Sequence, residues 1–129
     1  MKCYVITGIT KAVIEEIMRG NIKTLELRSA HNVATALRVK VGDCVFVTYA
    51  KMQDIDRGVN GLIAEVTGKE VLTHSFFYSS PHYAEECEMT TVRLRLLPKA
   101  LGRVIRIKPF ELLETREAEV IEVTIFDAR

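Results

Sequence analysis

Tryptophan is absent from these 129 residues, proline and cysteine occur three times each, and the formal net charge is only +1. Each scarcity excludes something. Cys3, Cys44 and Cys87 are odd in number and far apart, which argues against a disulfide framework. Cys3 and Cys44 fall in strand-like runs and read as small, unpaired core residues, so the expected address is a reducing cytoplasm. A near-neutral chain does not hold nucleic acid or an anionic membrane by overall charge, and any such contact needs a local patch. No apolar run approaches the ~20 residues of a membrane span, and the opening MKCYVITGIT lacks a leader's basic-then-apolar layout. Phosphate loops, dinucleotide fingerprints and nucleophile elbows are missing too. With no linker or low-complexity tract, residues 1–129 are expected to form a single domain.

What is present is a soluble composition, 48% hydrophobic and 27% charged, with clear periodicities. Cys3–Thr7 reads as a strand. Thr10 is placed to cap a helix whose Val13, Ile14, Ile17 and Met18 share one face, with Gly20-Asn21 as its stop. Thr24–Arg28 is strand-like, and Ser29 can cap a second short helix, Ala30–Leu37. Val41-Gly42-Asp43 is a turn before the buried-strand pattern CVFVTY, and Lys51–Arg57 is a polar loop. The run GLIAEVTGKEVLTHSFFY suggests two strands broken near Gly68, while Pro81–Glu88 fits either a loop or a helical turn or two. From Thr91 onward three strands are expected: Pro98 and Gly102 bracket a turn between the first two, and Leu94, Ile107 and Val123 share one core. Two short helices and six or seven strands predict an α+β fold built on a small mixed β-barrel.

Within this pattern Lys23-x-x-Glu26-x-Arg28 stands out, because a strand that only fills a core needs neither Glu26 nor Arg28. In a strand those two residues share a face about 7 Å apart, with Leu25 and Leu27 turned to the core. Glu26 can orient the Arg28 guanidinium toward a phosphate or a base edge, and Lys23 can add charge at the strand's mouth. The plain alternative is a solvated ion pair on an edge strand. Together with VGD, a strand and GLIAEV, the motif resembles the signature region of ASCH domains in the PUA-like superfamily, although one extra residue separates Gly20 from Lys23. Across its length the chain also resembles a small archaeal family of uncharacterised proteins, through its "TGI" strand–helix start and its "RSA-N" stretch. The ASCH resemblance implies a PUA-like barrel and a cleft that binds RNA or a nucleoside- or nucleotide-like ligand, with Lys23, Glu26 and Arg28 on its wall. Some ASCH relatives are amidohydrolases acting on acylated nucleosides through a Lys, a Thr and a Glu. Lys23 matches that lysine, Glu26 stands where the threonine falls, and Glu65 is the candidate for the glutamate.

Residues 93–108, RLRLLPKALGRVIRIK, are basic throughout. On two adjacent strands, Arg93, Arg95, Arg106 and Lys108 would form a phosphate-binding stripe, unless glutamates from 111–122 neutralise it. His74, His82 and Cys87 have no recognised ligand spacing, so neither metal nor cofactor is called for. Phe76, Phe77, Tyr78 and Tyr83 read as the lid of the barrel core in preference to a base-stacking platform. Binding of RNA or a nucleotide-like ligand is thus the leading expectation. A small amidohydrolase with Lys23 as base and a protein–protein adaptor are the alternatives.

Overall fold

A computed structural model describes residues 1–107 and 116–126. The elements run β1 (Lys2–Ile6), α1 (Lys11–Met18), β2 (Thr24–Leu27), α2 (Ala30–Arg38), β3 (Cys44–Val47), β4 (Asn60–Ser80), β5 (Tyr83–Ile107) and β6 (Glu117–Ile125). Both helices start where a hydroxyl is placed to cap them. Thr10 Oγ1 accepts from the Val13 amide at 3.3 Å and Ser29 Oγ from the Asn32 amide at 3.3 Å. Gly20 ends α1 with a positive φ of 79°, which a side chain would resist.

The strands lie in the order β2-β5-β4-β3-β1-β6, and β6 pairs back onto β5. This makes a mixed α+β structure with a closed but uneven ring of strands. Two long strands give it its shape. One edge of β5 pairs with β4 along most of its length; the other is shared, Val92–Arg95 pairing with β2 and Ala100–Ile107 with β6. One core packs α1 and α2 against the sheet through Ile14, Ile17, Leu27, Val45, Leu62 and Leu94. A second fills the ring around Phe46, with Val5, Ile63, Val104 and Val120. Gly61 and Gly102 permit this filling. A Cβ on Gly61 would lie 2.6 Å from the Phe46 ring and 2.7 Å from the Val47 carbonyl, and one on Gly102 would lie 2.5 Å from Ile63 Cδ1.

Several expectations need correction. Pro98 and Gly102 do not bracket a turn; β5 runs straight through them. The ladder bulges at Lys99, where Ile63 faces Ala100 but Ala64 faces Pro98, and a bulge is a place where a strand tolerates proline. Gly68 marks a second bulge rather than a break, with Thr67 as the extra residue. Further bulges lie at Ile105 and Val123, and the first turns Ile107 rather than Arg106 inward. On β6 Ala118 and Val120 face inward, so plain alternation turns Ile121, Val123 and Ile125 outward, where they are 46%, 52% and 70% exposed. Of the trio expected in one core, Leu94 is fully buried, Ile107 packs at the edge of the second core, and Val123 is outside. Cys3 and Cys44 are joined by a disulfide. They lie 41 residues apart, but the parallel β1–β3 register (Tyr4 beside Val45) sets them side by side with Cα atoms 4.8 Å apart. The bond overturns the expectation that Cys3 and Cys44 are unpaired core residues. No described helix is long and apolar enough to cross a membrane.

Candidate functional site

The "TGI" and "RSA-N" segments fold onto each other. Asn32, buried on α2, accepts from the Thr7 amide through Oδ1 at 3.0 Å and donates to the Thr7 carbonyl through Nδ2 at 2.8 Å. The Asn32 amide thus acts as a short extra strand segment beside the end of β1. The loop beyond is held by Gly8 and Ile9, whose amides donate to Ala50 and Thr48. This junction fixes α1 and α2, and so the position of β2 between them.

On β2 the motif divides between two faces. Leu25 and Leu27 enter the core as expected. Glu26 and Arg28 share the outer face: Arg28 donates to one Glu26 oxygen from Nε at 2.8 Å and from Nη2 at 2.5 Å. The other Glu26 oxygen accepts from Arg93 Nε at 2.9 Å, because the register sets Glu26 opposite Arg93. Arg93 also approaches Glu70 at 3.9 Å. The result is a chain Arg28–Glu26–Arg93–Glu70 lying over β2, β5 and β4. The guanidinium of Arg93, and after it that of Arg28, holds the Glu26 carboxyl below its ordinary value of 4.5.

Lys23 belongs elsewhere. Three residues is an odd step along a strand, so the K-x-x-E spacing sends Lys23 away from the Glu26 side. It lines a cleft of about 850 Å³, framed by the end of α1, the Gly42-Asp43 turn, the two bulges of the β4–β5 ladder and the end of β6. This is where the free edge of β5 changes partner. The Leu96 amide still donates to the Lys23 carbonyl at 2.9 Å, and the Phe126 amide donates to the Lys99 carbonyl at 2.9 Å; Leu97 and Pro98 lie between them. The floor is apolar, with Ile22, Leu96, Leu97 and Phe126, and four cations stand around it: Arg19, Lys23, Arg95 and Lys99. Asp43, Glu65 and Glu122 are the acids, and Glu65 lies 4.0 Å from Lys99. Lys23 is exposed.

The other predicted residues scatter. Arg93 and Arg106 sit on one strand, not on two adjacent ones, and Arg106 is bound to Glu119 at 2.8 Å. The neutralising pairing by C-terminal glutamates therefore holds for Arg106, whereas Arg93 is held by Glu26. Arg95 lines the cleft, and Lys108 lies outside the described residues. His74, His82 and Cys87 are strung along the β4–β5 hairpin, and no group of three metal-binding side chains occurs among the described residues. The nearby aromatics are not a core lid, since Phe76, Phe77, Tyr78 and Tyr83 are all exposed. Arg19 and Phe126 had no place in the site expected from sequence. The available signal was Pro98 inside an alternating run, which marks a bulge and a gap in the ladder.

The comparisons with known proteins bring relatives but no activity. Residues 1–118 match the family model described as "Protein of unknown function (DUF473)". The chain is 33% identical over 66 residues to the uncharacterized protein MJ0105 of Methanocaldococcus jannaschii, an alignment covering 51% of this chain and 43% of that protein. The match thus spans less than half the length of that relative. No solved structure matches. An ASCH or PUA-like assignment is not shown by these matches. The family model covers nearly the whole chain, and the chain belongs to the DUF473 family, proteins of unknown function.

Proposed function

We propose that the cleft at the β5 partner change binds a small nucleotide-like ligand, a flat apolar ring system joined to an anionic group. The observation that carries this reading is the combination of an apolar floor with Arg19, Lys23, Arg95 and Lys99 around it in about 850 Å³, a volume in the range of small-molecule sites. Leu97 and Phe126 offer surface to a ring, and Lys23 and Arg95 offer donors to a phosphate, while Arg19 is paired with Glu16 at 3.3 Å and Lys99 lies 4.0 Å from Glu65. Glu26 and Arg28 do not touch such a ligand. They tie β2 to β5 and so hold the strand that leads from Lys23. An extended RNA is a poorer fit, because Arg93 and Arg106 are occupied by Glu26 and Glu119 and lie far apart on one strand. The PUA-like likeness of the motif agrees with this proposal but does not carry it.

Calorimetric titration with nucleoside mono- and diphosphates, and with a single-stranded RNA, tests the proposal. A nucleotide should bind, and Lys23→Ala and Arg95→Ala should each weaken it about tenfold or more, as expected for a lost charge-assisted hydrogen bond. Glu26→Gln should weaken it less. Failure of every nucleotide to bind, or binding that neither cation variant alters, would remove the proposal.

A second reading has one observation in its favour: Lys23 and Glu65 line the same cleft, as the amidohydrolase resemblance requires. Against it, Lys23 is exposed and Glu65 is near Lys99, whereas a lysine base needs burial. Release of free acid from acylated nucleosides, lost in Lys23→Met, would establish that reading.

A further inference from the structure

The gap in the β5 ladder has a chemical sense of its own. Pairing with β2 ends where the Leu96 amide donates to the Lys23 carbonyl, and pairing with β6 begins where the Phe126 amide donates to the Lys99 carbonyl. Three residues separate these points, about 10 Å of strand. Successive residues of a strand turn their backbone groups to opposite edges. Leu96 points to the β2 edge, so Leu97 points to β4, where it faces Glu65, and Pro98 points back into the gap. Pro98 lines the cleft and is half-buried. Among the described residues no hydrogen bond to its carbonyl is formed. Proline has no N–H, so the exposed edge holds an acceptor where any other residue would set a donor beside it. Nearby donors do not make up the deficit. The Gly42 amide is bound to the Val66 carbonyl at 2.7 Å, the Asp43 amide to that of Lys40 at 2.9 Å, and the Met1 ammonium to that of Val120 at 3.0 Å. An added peptide strand is a poor occupant, because it needs alternating donors and acceptors over several residues. One flat ring needs a single contact.

We propose that the base of the bound nucleotide carries an exocyclic amino group, which donates to the Pro98 carbonyl while the ring lies against Leu97 and Phe126; this rests on the nucleotide-like ligand proposed above. Adenine and cytosine meet the gap with a donor. Hypoxanthine and uracil carry an oxygen at the matching position, which sets one acceptor against another, and their ring N–H is flanked by that oxygen. Once a ring covers the apolar floor, water no longer reaches the carbonyl, and a ligand that leaves it unpaired binds less well. A site built to pair with a polar group of its ligand rejects analogues in this way. Pro98 thus sets specificity through its missing N–H. Lys23 and Arg95 act on the phosphate and are indifferent to the base.

The test compares matched pairs of nucleotides by calorimetry. On the wild-type protein, which needs no variant to fold, adenosine monophosphate should bind about tenfold or more tightly than inosine monophosphate, and cytidine monophosphate than uridine monophosphate. Purine riboside monophosphate, which lacks the amino group and puts no oxygen in its place, should also bind more weakly than adenosine monophosphate. Pro98→Ala returns an amide to the open edge, so it should strengthen inosine monophosphate and narrow the ratio. Arg95→Ala should weaken adenosine and inosine monophosphates alike and leave the ratio as it was. Equal binding of the paired nucleotides to wild type, or a ratio that a folded Pro98→Ala does not change, would overturn this inference and leave the nucleotide cleft standing. Failure of every nucleotide to bind would overturn both.

Discussion

At the scale of single residues, Glu26 behaves as a bridge between two guanidinium groups. Its carboxylate accepts from Arg93 and Arg28, and both favour the ionised form. The folded-state value therefore lies below the ordinary 4.5, and the linkage has a definite sign. Whatever Glu26 adds to stability is fully present above the unfolded value and is lost as pH falls through the lower folded one. Urea midpoints measured from pH 6 downward should fall more steeply for wild type than for Glu26→Gln over that acid interval; equal slopes would mean the carboxylate is unpaired in solution. Asn32 is the second residue with a clear role. Asn32→Ala strands the Thr7 amide and carbonyl in a buried setting, and two such groups cost about 2–4 kcal/mol. Chemical denaturation reads this directly.

At the scale of elements, the ring exists because two glycines let side chains lie flat against backbone. Gly61→Ala would press a methyl group into the Phe46 ring and the Val47 carbonyl. Because the carbonyl cannot swing away, this substitution should cost about 1–3 kcal/mol in a thermal or urea melt. Gly102→Ala should cost less, since Ile63 Cδ1 is the flexible end of a side chain. Much of this level was legible beforehand. Both helix caps, the stop at Gly20, the VGD turn and the burial of Leu25 and Leu27 follow from local rules, and local rules read from sequence depend only on near neighbours. The long strands were misread because bulges at Thr67, Lys99 and Ile105 shift the inside–outside alternation, and a bulge is set by the partner strand; on β6 the smaller Ala118 and Val120 face the core in place of Ile121, Val123 and Ile125. The site was legible only in part for the same reason. Glu26 and Arg28 share a face as the spacing requires, but that the face also holds Arg93, and that Lys23 lines a separate cleft with Arg95 and Lys99, depends on pairings between residues far apart in the chain.

At the scale of the whole molecule, two long-range ties dominate. The Cys3–Cys44 bond joins β1 to β3 and closes a separation of 41 residues, a constraint of typically about 2–4 kcal/mol. Cys3→Ser with Cys44→Ser should lower stability by that amount, and a reductant should lower the wild-type melting temperature but leave the double variant unmoved. Leu94, fully buried between the helices and the sheet, is the matching test of the apolar core: Leu94→Ala should cost about 2–5 kcal/mol. The other tie is the pairing of β1 with β6, Lys2 facing Glu119. It carries a consequence for how the molecule is made. As the chain leaves a ribosome, β1 is made more than a hundred residues before the strand that closes the ring beside it. At about 5–20 residues per second the wait is roughly 6–25 s, and throughout it β1 offers an open edge and one wall of the second core stays uncovered. Closure of the ring is slow because it waits on a contact among the most distant in sequence within the described residues. Crowded nascent chains are most exposed to mispairing during that interval, and the β1 edge is where a chaperone would be expected to hold them.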